Sequence, residues 1–475
     1  MYWIFLLVVW VALWPEVECV DDLPFLLQAN FITLSTAILL LTVPENFDNG
    51  GPVSSGEKKR TLVKRVRKSV CQIFQEYGKQ YVRRAYRMDE EAFWKLVRIL
   101  RPHMKAKSRK IRHGYKSAQK KKGAQNGLIP TPTKVSVAIR YFAGGSAYDI
   151  AGHHGISHSD VFNCVWKVCD AVNSSEELAF KFPECHHEQR RIAEGFRQKS
   201  KAGFRYCCGA IDGLLIWMEK PSLTSCEEAA CGPKKFFCGR KKKFGMNLQG
   251  TVDHHCRFFD LSVNHPASTS DYLSFTTMDL FHKLEKPGFL ASGLCLFGDN
   301  AYVSAPYMAT PYKNVRGGSK DDYNFYHSQV RIRVECAFGM LVQRWGILRK
   351  ALSTKITMKK VNCLCMCLCR LHNFCINSRL KPTGNETTPT LGRTEEVPNP
   401  LMVDAVNIEL LGGIRLDTSN RPVGLLDGGH HFEDCPDQNM RNWRRVTENP
   451  LPREIMCKEV AALGLSRPTP NRWYD

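Results

Sequence analysis

Three acidic side chains in this chain have the setting and spacing that divalent-metal phosphoryl transfer requires. Asp212 lies inside the apolar run CCGAIDGLLIWM, Asp299 ends another apolar run (Leu294, Leu296, Phe297) within GDNAY, and Glu335 stands in RIRVECAFG. Thirty-five residues separate Asp299 from Glu335. A divalent ion takes hard oxygen ligands and must keep positions open for substrate, so acids converging from strand ends and a helix suit a two-metal site. In such a site Asp212 would bridge both ions, Asp299 would hold one and Glu335 the other. Arg331 precedes Glu335 by four residues and shares its helical face, where it could orient the carboxylate or touch the scissile phosphate. One acid at the edge of an apolar run is ordinarily a turn or cap residue; three in these contexts read as catalytic. Asp253 and Asp271 compete with them. Asp271, in ASTSDYLSF, reads as a helix N-terminal acid favoured by the dipole, and it is the first replacement should one of the three fail. His254 and His255 read as turn residues.

The elements that must carry these acids follow from periodicity. Tyr206 to Met218 reads as a strand, and Gly245–Val252 with Cys256–Val263 as a hairpin around Asp253, His254 and His255. Ser270 to Leu284 reads as helix and Gly293 to Phe297 as a strand. Gln329 to Trp345 reads as a helix with Val334, Phe338, Leu341, Val342 and Trp345 at helical spacing. Three strands, a helix, a strand and a helix give an α/β, RNase H-like mixed-sheet nuclease core, with consecutive strands pairing before a helical crossover. Upstream, Met88, Phe93, Leu96, Val97 and Leu100 recur at helical spacing. Thr133 to Val172 then holds a helix, a Gly-Gly turn, a short helix around Tyr148 to His154, Gly155 and a helix that Ser157 can cap. Helix, Gly-containing turn and helix suit a helix-turn-helix, though an ordinary bundle supporting the core has the same pattern.

The block FPECHHEQRRIAEGFRQKS with GFRYCCGAIDG, then GDNAY, VECAFGMLVQRWGIL and LHNFCI, resembles the transposases of the PIF/Harbinger superfamily and their domesticated nuclease relatives. The resemblance runs in order from about Tyr86 to about Asn377. It implies a DDE endonuclease or transposase with an RNase H-like core, cutting and joining DNA phosphodiesters with Mg2+ or Mn2+ at Asp212, Asp299 and Glu335. Asp271 resembles the family's Gly-Ser-x-x-Asp element, with Ala267 where the glycine belongs. The resemblance also favours DNA contact by the helix-turn-helix-like segment, with His158, Ser159 and Asn163 exposed for it. It implies transposon ends and target DNA as partners, a separate Myb-like DNA-binding protein, a homo-oligomer, and the nucleus as the place of action.

Composition supports a polyanionic partner. The 475 residues carry a formal net charge of +21, and residues 57–122 hold 23 Lys/Arg against 5 Asp/Glu, or 23 − 5 = +18. A block of this kind is the electrostatic footprint of nucleic-acid binding, and Lys110, Arg112, Lys120, Lys121 and Lys122 are its candidate DNA contacts. The 20 cysteines follow no disulfide spacing. The run VNCLCMCLCRLHNFC reads as small buried residues of a helix, because alternate helical positions point to different faces. Cys226, Cys231 and Cys238 lack the paired spacing of a zinc knuckle. Trp3 to Trp14 has the look of a signal-peptide core and Leu23 to Val43 that of a marginal membrane span. That leader disagrees with a nuclease, and a misassigned start or added exon is the expected reason. The implied organisation is leader and linker (1–56), basic helical DNA-binding region (57–200), catalytic core (201–380) and a mostly disordered tail (381–475) with a short docking helix near Glu454 to Leu463. Two other functions stand beside the nuclease: a domesticated DNA-binding regulator, and a membrane or secreted Cys-rich interaction protein argued from residues 1–43.

Overall fold

The run CCGAIDGLLIW becomes the central strand of a mixed sheet. The computed structural model describes residues 65–104, 128–226, 231–353, 356–382, 389–391, 415–416, 422–423 and 450–468. The leader, the lysine-rich stretch 105–127 and most of 381–475 lie outside the described residues. Five helices come first: α1 (Val70–Tyr86), α2 (Glu90–Leu100), α3 (Thr131–Phe142), α4 (Ala147–His154) and α5 (His158–Asn173). Helix α6 (His186–Arg197) leads into β1 (Cys207–Trp217), followed by β2 (Phe237–Cys238), β3 (Lys243–Val252) and β4 (Phe258–Pro266). Short helices α7 (Asp271–Thr276) and α8 (Asp279–Leu284) precede β5 (Cys295–Phe297) and β6 (Met308–Ala309); α9 (Ser319–Arg344), α10 (Met358–Asn377) and α11 (Pro452–Ala462) complete the order.

The spatial order runs β4-β3-β1-β5-β6, with β2 extending the start of β3. The β1–β3 and β3–β4 pairs are antiparallel, whereas β5 joins β1 and β6 in parallel. This is the mixed RNase H-like sheet the sequence implied. Its two faces bury different side chains. Ala210, Leu214 and Ile216 of β1 join Phe297, Val334, Phe338 and Trp345 in one cluster, while Cys208 and Ile211 join Ala193, Phe275, Leu280 and Leu296 in another. Strand alternation therefore puts Asp212 on the α9 side, together with Ala210 and Leu214.

The larger cluster continues from the sheet into the helices, through Ile73, Phe93, Phe142 and Val168. Trp345 is fully buried where the two meet and donates Nε1–H to Leu368 O at 3.0 Å. The backbones touch beside it: a Cβ on Gly346 would stand 2.6 Å from Ala143 O, so glycine is required there. The α2 face forms as its spacing implies, with Phe93, Leu96, Val97 and Leu100 buried and Asp89 accepting the cap bond from Ala92 N at 2.7 Å. On α10, Cys365, Cys367, Cys369 and Cys375 are buried thiols filling space between helices.

Three sequence expectations shift. The helix carrying Glu335 begins ten residues earlier than Gln329, because Tyr323, Tyr326 and His327 are buried by tertiary contacts that its polar first turns do not advertise. Ser270–Leu284 is two helices, since Met278 has extended backbone and starts the second. The strand before Asp299 is shortened to three residues, with Gly293 at φ 82 turning the chain into it. Among the described residues no helix is long and apolar enough to cross a membrane.

Candidate active site

Two of the three acids come from the sheet and the third from α9. Asp212 lies mid-strand on β1, where Gly213 N donates to its Oδ1 at 2.7 Å. Asp299 follows β5, and the turn after it bends back so that Ala301 N donates to Asp299 Oδ1 at 2.8 Å. In both, a backbone N–H fixes one carboxylate oxygen. Glu335 lies midway along α9. Arg331 joins the set across 119 residues: its Nη1 donates to Asp212 Oδ2 at 3.1 Å, and its Nη2 donates to Glu335 Oε1.

A fourth acid completes the group. Asp271 does start a helix, α7, next to its N-cap Ser270. Its carboxylate also accepts from Asn247 Nδ2 at 2.9 Å and from Gln249 Nε2 at 2.7 Å. Tyr302, in the turn after Asp299, donates its hydroxyl to Gln249 Oε1 at 2.5 Å. A Cβ at Gly213 would overlap Asp271 Oδ1, so glycine at 213 is what lets the Asp271 carboxylate pack against β1. Asn247 and Gln249 are two apart on β3 and share a face. Two amides alternating through a buried strand were the sequence signal that would have exposed this network.

The group carries more negative charge than its surroundings neutralise. Burial pushes the Asp212 carboxyl up to about 8; Arg331 pulls it down, while Asp299, Glu335 and Asp271 add repulsion. Burial also raises Asp299, with Arg331 opposing and Asp271 reinforcing. Burial disfavours the Arg331 cation, but Glu335, Asp212 and Asp299 more than offset this, so its proton is held more tightly than usual. Burial and then the three aspartates raise the Tyr302 phenol well above its ordinary value, which keeps it a donor to Gln249. Among the described residues, no three His, Cys, Asp or Glu side chains stand in ready-made coordinating geometry. A guanidinium already lies between Asp212 and Glu335.

Residues 211–373, which contain all four acids, match the family model for the DDE superfamily endonuclease. Over that stretch the chain is similar to the DDE superfamily endonucleases. It is 26% identical over 266 residues to Protein Antagonist of Like Heterochromatin Protein 1 of Arabidopsis thaliana, covering 53% of this chain and 63% of that relative. No solved structure matches it.

The remaining candidates separate in space. Asp253 is a turn acid bound to Arg257, and His254 and His255 form the turn beyond β3. In the helical region Ser157 caps α5, accepting from Asp160 N at 3.0 Å, and Gly155 takes the left-handed conformation (φ 58) that ends α4. His158 stacks on the exposed ring of Tyr148 at 4.2 Å, while Ser159 and Asn163 face solvent one turn apart. Lys110, Arg112, Lys120, Lys121 and Lys122 lie outside the described residues.

Proposed function

We propose that this protein is a divalent-metal-dependent DNA endonuclease of the transposase type, and that Asp212, Asp299 and Glu335 are its catalytic acids. One observation carries the reading: acids from β1, the end of β5 and α9 gather around a single guanidinium in a partly buried site, leaving more acids than cations. The donor set fits hard divalent ions such as Mg2+ or Mn2+. Asp212, Asp299 and Glu335 would hold them, with Asp271 as a fourth oxygen donor. When bound, such ions supply a nucleophile at neutral pH and stabilise the leaving oxygen.

The chain's own groups prepare this. Gly213 N and Ala301 N each fix one oxygen of Asp212 and Asp299, and Arg331 holds the other oxygen of Asp212. Asn247, Gln249 and Tyr302 hold Asp271 in place. Arg331 neutralises part of the charge of Asp212 and Glu335 and would offer its guanidinium to a phosphate oxygen brought to those acids. DNA reaches the acids with help from α5 through His158, Ser159 and Asn163, and from the basic stretch through Lys110, Arg112, Lys120, Lys121 and Lys122. The nucleus, a Myb-like partner and a homo-oligomer belong to the same reading.

A second reading has a specific support. The Arabidopsis relative is named for antagonism of a heterochromatin protein, so this chain would keep the fold and DNA contact in a regulatory role. A cleavage assay on the element's terminal repeats with Mg2+ or Mn2+ decides between them. Metal-dependent nicking that Asp212→Ala abolishes supports the nuclease; DNA binding with no nicking under either ion supports the regulator.

A further inference from the structure

A second charged feature lies beside the acids and has the opposite sign. Between Lys234 and Lys243 the chain carries Lys234, Lys235, Arg240, Lys241, Lys242 and Lys243 with no acid among them. The segment is an ordered hairpin. Phe237 pairs with Phe244 and Cys238 with Lys243, leaving Gly239, Arg240, Lys241 and Lys242 as its four-residue tip, with Lys242 left-handed at φ 52. Phe236 is fully buried beneath it and anchors it to the core. Lys243 Nζ lies 4.2 Å from the centre of the Trp217 ring. Arg240 and Lys242 point to solvent, and none of the three tip cations has an ion-pair partner among the described residues.

Backbone bonds fasten the hairpin to the candidate site. Ser268 N donates to Lys235 O at 3.0 Å and Ala267 N to Gly245 O at 3.0 Å, so the hairpin is sewn to the segment that ends in Asp271. The same strand β3 supplies Asn247, which grips Asp271, four residues beyond Lys243. At about 3.3 Å per residue that places Lys243, at the base of the tip, roughly 13 Å along the strand from Asn247. Lys241 feels the charges of Asp212 and Asp271, and Arg240 is felt at Asp299. Burial is the largest influence on Lys241 and lowers its pKa.

We propose that this hairpin is a DNA-strand grip, in which Arg240, Lys241 and Lys242 hold phosphates of the strand being cut close to the scissile bond. The proposal rests on the nuclease reading for what happens next to it, but its DNA contact is measurable without cutting. A cationic tip beside a surplus of carboxylates also resolves an electrostatic conflict. Four acids repel a polyanion, and the hairpin supplies the local attraction that brings a phosphate near them. Phe237, 37% exposed on the hairpin, adds a face on which an unpaired base can stack.

The test uses the full chain and a fluorescein-labelled random-sequence duplex in EDTA. In the variant Arg240→Gln/Lys241→Gln/Lys242→Gln, the slope of log K against log salt should flatten by about 2.7, at 0.9 per lost phosphate contact. The same charge loss spread over Lys286, Lys313 and Lys359 should leave the slope unchanged. An unflattened slope in the hairpin variant, or an equal fall in both variants, overturns the proposal. Position is read by a photo-crosslinking residue at 237 in the Asp212→Asn background. It should crosslink within about four nucleotides of the cut site that the wild type makes with Mn2+, taking 3.4 Å per phosphate along one strand. Crosslinks scattered along the duplex overturn the assigned place. Should the wild type bind through the hairpin yet never cut, the nuclease reading falls and the grip stands. If it cuts while the slope is unmoved, the reverse holds.

Discussion

Asp212, partly buried, and Asp253, fully buried, both lie on the β1–β3–β4 part of the sheet and each meets an arginine, yet they solve opposite problems. Asp253 is satisfied by its own turn. Its Oδ1 accepts from His255 N at 2.9 Å and Arg257 N at 2.8 Å, and its Oδ2 pairs with Arg257 at 2.6 Å. One acid meets one cation within four residues, and Arg257 is held in turn by Asn377. At Asp212 a single guanidinium from 119 residues away serves Glu335 as well, while Asp299 and Asp271 add charge without adding a cation. A buried acid closed off locally holds a turn together. A surplus of buried acids destabilises the fold that carries it, and such unresolved charge marks sites kept for chemistry.

The largest contrast is in activity. Asp212→Ala, Asp299→Ala and Glu335→Ala should each reduce metal-dependent DNA cleavage to background while leaving the protein folded, because losing one acid relieves repulsion among the others. Asp271→Ala should do the same or nearly so, since it removes the group that Asn247 and Gln249 hold. Asp253→Ala should leave the metal requirement of any cleavage unaltered. Wild-type cleavage by any purified variant of the first three would remove that residue from the site.

Stability should rank the two acids the other way. Asp253→Ala strands two backbone donors and the Arg257 guanidinium and should cost about 2 kcal/mol or more. Asp212→Ala should cost less than that, or stabilise the metal-free protein. Urea melts of both variants in EDTA check the order, and a larger loss at Asp212 would show that Arg331 stabilises the cluster more than repulsion weakens it.

These two acids also show what sequence could reveal. Asp212, Asp299 and Glu335 stood out because an acid inside or ending an apolar run is costly, and that cost is written locally. The helices α2 and α5 and the β3–β4 hairpin were legible for the same reason, through apolar periodicity, capping at Ser157 and the turn at Asp253. Asp271 looked like a helix-start acid, which it is. Its place against Asp212 depends on Gln249 and Tyr302, partners more than 20 residues away, and on the absence of a side chain at Gly213. The early start of α9 was hidden likewise, since Tyr323 and His327 are buried by distant elements rather than by their own helical face.

pH should separate the two kinds of burial. Burial pushes His154, His327 and His372 down to about 3 and His254 to about 4. Unfolded, each takes a proton near 6.5, so between about 4 and 6.5 the unfolded chain binds more protons than the folded one. Stability therefore rises with pH across that window and is lost on acidification, by about 1.4 kcal/mol per pH unit for each histidine. Asp212 has the opposite sign. Its folded carboxyl keeps a proton up to about 8 that the unfolded one releases near 3.8, so it lowers stability as pH rises between those values. Asp212→Asn should flatten the fall on the alkaline side of the stability maximum and leave the acid limb intact. An unchanged alkaline side in metal-free melts would mean that Arg331 already keeps Asp212 ionised.

The smallest effects test whether the contrast extends to α5, where a locally closed motif and an open face adjoin. Ser157 and Asp160 are closed on each other: Ser157 Oγ accepts from Asp160 N at 3.0 Å and donates to Asp160 Oδ2 at 2.6 Å. Ser159 and Asn163 face solvent beside them. Ser157→Ala should therefore lower stability by about 1 kcal/mol, a lost N-cap, and change DNA affinity only through the folded fraction. Ser159→Ala and Asn163→Ala should leave stability within about 0.5 kcal/mol, as exposed substitutions do. If α5 enters a groove, those two variants weaken DNA binding while the salt slope stays put, because neither side chain carries charge. Fluorescence anisotropy on a terminal-repeat duplex, with chemical melts alongside, reads both quantities. Unchanged affinity in the Ser159/Asn163 double variant would make α5 a scaffold for the sheet. The DNA contacts would then rest with the basic stretch and the hairpin.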